Sequence, residues 1–354
     1  MTTVRLHNGA LRGSVDSGVH SFKGVPYAAP LVGAARWKAP EPRAAWEGLR
    51  DATQYGPACM QFGKGGSRAW LPTARASYLK ATGGGQALVE GDDCLTLNVW
   101  APSVDSAAKL PVMVWIHGGG FATGSANTLY DATRFARRDA VCVVIQYRLG
   151  ALGFLHGAGL FADGMCADNR AFLDQICALR WVQENIAQFG GDAARVTIFG
   201  QSAGAFAVYQ LAASPQAQGL FRRAIALGGM AGTCAPADEY HALTRDILEE
   251  AGVGSGDAQA LIALDRAAIQ NLQAAVSRRI FSGRNPDQYG ALSRERIGFL
   301  GAAVGTDFLP QSALETYARG TPNQVEMMLG TCADDGRLFS LMLPLGKAVS
   351  ARLF

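Results

Sequence analysis

The chain has 354 residues, 49% of them hydrophobic and 17% charged, with a formal net charge of +3. That is enough apolar material for one large core, and a single α/β domain over residues 1–354 is the expected organisation. The charge is modest, and the pairs Arg137-Arg138, Arg222-Arg223 and Arg278-Arg279 stand apart without interleaved aromatics, so these features argue against a nucleic-acid partner. No apolar run approaches the ~18 to 20 residues of a membrane span. Met1 to His7 lacks the apolar core of a signal peptide, which makes a cytoplasmic location the expectation. The seven cysteines (Cys59, Cys94, Cys142, Cys166, Cys177, Cys234, Cys332) show no Cys-x-x-Cys spacing, so no metal site is expected and most are read as small core residues.

Taken in order, the first ninety residues are broken by Gly and Pro into short runs, as in Ser21-Phe-Lys-Gly-Val-Pro-Tyr-Ala-Ala-Pro30. Short strands and loops laid over a core built later are expected there. Ser67 to Gly85, with Gly83-Gly84-Gly85, reads as the most mobile loop. From Asp93 the pattern changes, and Cys94 to Trp100, Pro111 to Ile116 and Val141 to Tyr147 are successive apolar strands of a sheet covered on both faces. Phe172, Ile176, Leu179, Val182 and Ile186, spaced 4, 3, 3 and 4, predict a helix ended by Gly190-Gly191. A strand from Val196, a strand over Leu220 to Leu227, and a last strand over Gln324 to Gly330 follow. Between the last two lie two helical stretches, one ending at Gly252 and one carrying Ile269, Leu272, Val276 and Ile280, suited to a lid over a pocket. The sum is a mostly parallel sheet with crossover helices, whose chemistry belongs at the carboxyl ends of its strands.

Three strand ends carry residues suited to chemistry. Val196-Thr-Ile-Phe-Gly-Gln-Ser-Ala-Gly-Ala205 runs from strand through Gly-x-Ser-x-Gly into a helix. A serine on such a turn is held with its hydroxyl exposed, and Gly200 and Gly204 remove side chains that would collide there, so Ser202 is a candidate nucleophile. With 43 glycines in the chain, the pentapeptide is expected by chance roughly 0.4 times, and context has to carry it. His117-Gly-Gly-Gly-Phe121 follows another strand. Alone it is an anion nest or a tight turn. Paired with a nucleophile elbow it becomes an oxyanion hole, its N–H groups facing the charge that develops on a carbonyl oxygen. Asp334-Asp335-Gly336 follows the last strand, so all three ends can converge.

With these features the chain resembles the type-B carboxylesterases, the α/β-hydrolase family that includes cholinesterases and bacterial para-nitrobenzyl esterases. The resemblance runs through Phe22 to Ala28, Asp92 to Asn98, His117 to Phe121, Tyr147 to Phe154, Leu173-Asp-Gln175, Ala178 to Asp192 and Gly200 to Gly204, in order along nearly the whole chain. It implies an α/β-hydrolase fold and hydrolysis of a small-molecule carboxylic ester through an acyl-enzyme on Ser202, with no cofactor. It further implies an oxyanion hole from Gly119, Gly120 and Ala203, an elbow of Gly200, Gln201 and Gly204 with Gln201 in place of the common Glu, and Asp335 as the triad acid, with neighbouring Asp334 competing. Arg36 and Asp92 resemble a family ion pair, while Cys59 and Cys94 occupy positions that many relatives bridge and are expected to stay thiols in a reducing compartment. Gly228 stands where many relatives have a serine.

The triad histidine is the departure. In this fold it follows the acid, and none of His7, His20, His117, His156 and His241 does. His117 belongs to the glycine loop and His156 is read as a core or surface histidine. The chain is thus expected to lack the family's C-terminal strand, helix and base, and to turn over poorly. A non-catalytic binding or adhesion-type member of the fold is the alternative, as is a gene fragment with Leu341 to Phe354 as an accidental tail. Oligomeric state stays open.

Overall fold

The computed structural model describes residues 1–62, 88–162, 164–281, 287–294, 301–320 and 323–335. The loop read at Ser67 to Gly85 and the stretch Leu341 to Phe354 lie outside the described residues. Among those described, the strands are β1 (Thr2–Leu6), β2 (Gly9–Asp16), β3 (Val19–Pro26), β4 (Leu49–Asp51), β5 (Thr96–Ala101), β6 (Leu110–Ile116), β7 (Val141–Ile145), β8 (Gly191–Gln201), β9 (Arg223–Leu227), β10 (Cys234–Pro236), β11 (Ala302–Val304) and β12 (Glu326–Gly330).

One twisted sheet takes the order β1-β2-β3-β5-β7-β6-β8-β9-β12, with β4 added to β2. From β7 to β12 along this order every pair is parallel, the run β1-β2-β3-β5-β7 is antiparallel, and β4 lies parallel to β2. Every residue of β5 and β7 is buried, which explains their near-continuous apolar sequences: both faces are covered. The N-terminal strands do not lie over this core. They extend it, β3 hydrogen-bonding along β5 with Phe22 and Val25 fully buried. Antiparallel neighbours need only tight turns, so short Gly-broken runs suffice to satisfy the backbone of β5.

Helix α1 (Arg170–Asn185) packs on the sheet with the predicted stripe, and Phe172, Ile176, Leu179 and Val182, with Ile186 in the 3-10 turn Ile186–Phe189 that continues it, are each at most 1% exposed. Gly190, at φ 74°, closes the turn that follows. On that helix Asp174 meets Arg148, which follows β7. Both side chains are wholly buried, joined through Nε (2.9 Å) and Nη2 (2.6 Å). Arg148 Nη1 also donates to the carbonyls of Arg36 (3.1 Å) and Lys38 (2.6 Å), tying the N-terminal segment to the sheet. The expected Arg36–Asp92 pair closes at 3.0 Å nearby. Cys59 and Cys94 are buried thiols, the Cys59 Sγ directed at the Cys94 carbonyl (3.8 Å).

Beyond the sheet, α2 (Ala203–Ala213) follows β8, and α3 (Ala237–Glu250), α4 (Ala258–Ala263) and α5 (Arg266–Phe281) form a helical layer standing on the small β10–β11 pair. Ile269, Leu272, Val276 and Ile280 pack with Tyr240, Leu243 and Ile247 in a separate apolar cluster that reaches the body through Trp37, Leu152 and Leu155. Both predicted helical stretches are thus present as one layer.

Candidate active site

Strand β8 ends at Gln201 and α2 begins at Ala203, leaving Ser202 alone on the turn at φ 56°, ψ −125°. L-residues avoid this conformation. It is enforced by neighbours that permit no other path. A Cβ on Gly204 would lie 2.0 Å from the Ile116 carbonyl oxygen, and one on Gly200 would lie 2.5 Å from Gly204 and 2.9 Å from that same oxygen. Both glycines therefore serve close backbone approach, as the sequence suggested. Ser202 N–H donates to the Leu227 carbonyl (3.0 Å), locking the turn to the end of β9. Ala203 opens α2 directly after this turn, and the first N–H groups of a helix have no intrahelical partner.

The glycine loop after β6 lies against this elbow. A Cβ on Gly118 would stand 2.7 Å from the Gln201 carbonyl oxygen and 3.3 Å from Ser202 Cβ. Gly119 (φ 121°) and Gly120 (φ 62°) are exposed, and their N–H groups have no acceptor among the described residues. The loop curls back on itself, since the Gly119 carbonyl accepts from Ala122 N (3.2 Å), Thr123 N (3.0 Å) and Thr123 Oγ1 (3.1 Å). Phe121 anchors it, its ring 4.6 Å from Phe154 and 5.8 Å from Phe172.

His117 supports the loop from beneath. Its ring stacks on Tyr147 at 4.4 Å, and the Tyr147 hydroxyl donates to the His117 carbonyl (2.6 Å). Nδ1 faces the Gly118 carbonyl at 2.9 Å, so that nitrogen carries the proton. Burial lowers its pKa to about 4, which keeps the ring neutral at pH 7.

Asp335 reaches the same end of the sheet. Its Oδ2 stands 2.8 Å from where a Cβ on Gly228 would be, and Gly228 is the residue after the carbonyl that holds Ser202 N. Gly228 takes φ 63°, and its N–H donates to the Gly330 carbonyl at the end of β12 (2.7 Å). Asp334 and Asp335 are both exposed. The three predicted strand ends therefore converge.

No histidine joins them. His156 spends both ring nitrogens on backbone, Nε2 at the Gly301 carbonyl (2.9 Å) and Nδ1 accepting from Asn169 N (3.0 Å), and burial lowers its pKa to about 4. His241 Nε2 is 2.9 Å from Asp168. His7 faces Asn185 (3.4 Å), and His20 lies on β3. Among the described residues no three His, Cys, Asp or Glu side chains gather as a metal site, and no helix is long and apolar enough to cross a membrane.

Two elements around the site were not singled out from sequence. Gln61 pairs its amide with the backbone of Gly124, which closes the glycine loop. A contact spanning 63 residues leaves no periodic trace. The Arg148–Asp174 pair had a fainter signal, a charge inside each of two apolar blocks.

A mixed sheet, a serine elbow after β8, the seventh of its nine in-line strands, and a glycine loop beside it define an α/β-hydrolase. The chain belongs to the carboxylesterase family, whose model matches residues 1–352. It is 37% identical over 338 residues to the para-nitrobenzyl esterase of Bacillus subtilis (strain 168), covering 95% of this chain and 63% of that protein. It is 33% identical to the fumonisin B1 esterase of Sphingopyxis macrogoltabida, over 98% of this chain and 58% of that one. Among solved structures, a Geobacillus stearothermophilus carboxylesterase at pH 6.8 superposes with a TM-score of 0.79 at 35% identity, covering 98% of this chain and 66% of that chain. The chain thus spans about three fifths of the length of these curated relatives.

Proposed function

We propose that this chain acts on small carboxylic esters with Ser202 as nucleophile. The observation that carries the reading is the strained Ser202 turn set against the Gly118 to Gly120 loop, with free N–H groups on the loop's exposed side. In this mechanism Ser202 Oγ attacks the ester carbonyl carbon and passes its proton to solvent water as the new C–O bond forms. The N–H groups of Gly119, Gly120 and Ala203 bind the oxyanion, and collapse breaks the bond to the alkoxide, which takes its proton back from solvent and leaves as the alcohol. Water then attacks the acyl-enzyme and releases the carboxylic acid. Asp335, one methylene shorter than the usual glutamate, is proposed as the acid that orients a base, its carboxylate lying beside Gly228.

No histidine ring among the five is hydrogen-bonded to Ser202, and those of His117 and His156 are turned to backbone carbonyls, so the 354 residues by themselves are expected to turn over poorly. Loss of a triad histidine costs about 10⁶-fold in kcat, leaving roughly 10³ to 10⁴ over water from oxyanion binding and positioning. The test is p-nitrophenyl butyrate hydrolysis by the purified chain beside Ser202→Ala, followed for an initial burst and for steady turnover. A Ser202-dependent burst with slow turnover is the expected result. Turnover of ordinary esterase magnitude would refute the impairment. Identical behaviour of the two proteins would favour the non-catalytic binding reading, whose support is the same missing base.

A further inference from the structure

We infer that Gln61 is a positioning residue for the oxyanion-binding loop; this rests on the reading of Gly119 and Gly120 given above. Gln61 lies outside every strand and helix, in the segment after Cys59, yet its side chain is wholly engaged. Nε2 donates to the Gly124 carbonyl (2.8 Å) and to the Cys59 carbonyl (2.8 Å), while Oε1 accepts from Gly124 N (2.8 Å). One carboxamide thus meets both backbone groups of Gly124, in the pattern of a single β-bridge. A carboxylate cannot reproduce it, and neither can an aliphatic side chain.

Gly124 is where a displacement would matter. It takes φ 112°, and a Cβ there would stand 2.5 Å from both the Gly118 carbonyl oxygen and His117 Nδ1. Gly118 in turn abuts Gln201 and Ser202. Contact therefore runs without a gap from the Gln61 amide through Gly124 to Gly118 and the nucleophile turn. The first half of the loop is secured independently by the bonds to the Gly119 carbonyl and by Phe121. The returning half is held by Phe62 N donating to the Ala122 carbonyl (3.0 Å), by the Gln61 clamp at Gly124 and, beyond it, by Gln146, whose Oε1 accepts from Ala126 N (3.0 Å) and whose Nε2 donates to Ser125 Oγ (3.1 Å).

Gln61 is itself held from outside the loop. Its N–H donates to Glu90 Oε2 (3.0 Å), Glu90 pairs with Arg266 at the start of α5, and Gln270 Nε2 on the same helix reaches the Gln61 carbonyl (3.4 Å). The helical layer thereby bears on the glycine loop through one side chain. Oxyanion donors act only when set within a fraction of an ångström of the developing charge, and a misplacement of about 1 Å costs on the order of 10²-fold.

The test uses the full chain with Gln61→Met, which keeps length and loses every side-chain hydrogen bond, and Gln61→Glu, whose side chain keeps only the acceptor for Gly124 N. Two readouts are taken: the Ser202-dependent p-nitrophenol burst rate across p-nitrophenyl butyrate concentrations, and amide hydrogen exchange over residues 117–126. Both variants are expected to slow the maximal burst rate about 10- to 100-fold with little change in the half-saturating ester concentration. Exchange over 117–126 should quicken at least 10-fold while the core helix α1 exchanges as before. A purely structural role would lower the melting temperature and accelerate exchange in α1 as well, without separating maximal rate from half-saturation. Unchanged burst and unchanged loop exchange would overturn the inference. If the wild-type chain gives no Ser202-dependent burst, the esterase reading has failed, and loop exchange alone then decides whether Gln61 holds the loop.

Discussion

Replacing Ser202 by glycine should make the protein more stable while removing its proposed nucleophile. Ser202 sits at φ 56°, ψ −125°, a conformation that costs a residue with a Cβ about 1–3 kcal/mol. Glycine adopts it freely but gains about 0.4–1 kcal/mol of conformational entropy when unfolded, so the net stabilisation at the middle of these ranges is about 1.3 kcal/mol. Alanine keeps the Cβ and therefore the strain. Ser202 Oγ has no hydrogen-bond partner among the described residues, so Ser202→Ala should be close to neutral and serves as the control for loss of the hydroxyl. For 354 residues, 1 kcal/mol corresponds to about 1.3 °C of melting temperature. The glycine variant should thus melt about 1–3 °C above the alanine variant. Paired thermal melts and urea midpoints at pH 7.5 measure this. A glycine variant that melts at or below Ser202→Ala would refute the claim that strain is held at the elbow.

Two further predictions concern the body that carries the site. Asp174→Ala leaves the Arg148 guanidinium buried and without its carboxylate, and should cost about 3–5 kcal/mol in urea titrations. Much of that loss should return in Arg148→Met/Asp174→Ala, and a single variant within 1 kcal/mol of wild type, by the ~1 kcal/mol scale of an exposed pair, would contradict the buried geometry. Stability should also fall with acidity well above the carboxylate range. His117 and His156 stay neutral to about pH 4 because burial disfavours their charged forms. An unfolded histidine takes its proton near 6.5, so the unfolded state binds more protons between about pH 6.5 and 4, and each histidine withdraws about 3 kcal/mol across that window. Urea midpoints that stay level from pH 7.5 to 4.5 would count against both assignments.

Much of this protein was legible in its residues because the information is local. Apolar runs marked β5, β6 and β7, a 3.6-residue stripe marked α1, and Gly-x-Ser-x-Gly marked a turn that only glycines at 200 and 204 permit. Backbone conformation and one-dimensional periodicity are set by neighbours in sequence, and a single chain displays them directly. Tertiary structure decided what depends on distant partners. It drew the N-terminal strands into the sheet beside β5, where sequence had suggested a covering layer, because hydrogen-bonding capacity at a sheet edge has no signature in the strand that fills it. It brought the Asp335 carboxylate over Gly228, committed His156 to the Gly301 carbonyl and Asn169 N–H, and closed the Gln61 amide on Gly124. Each of these joins residues 13 to 145 positions apart or brings together separate strand ends. The pairing of a polar atom is a property of three-dimensional proximity, which composition and spacing do not encode.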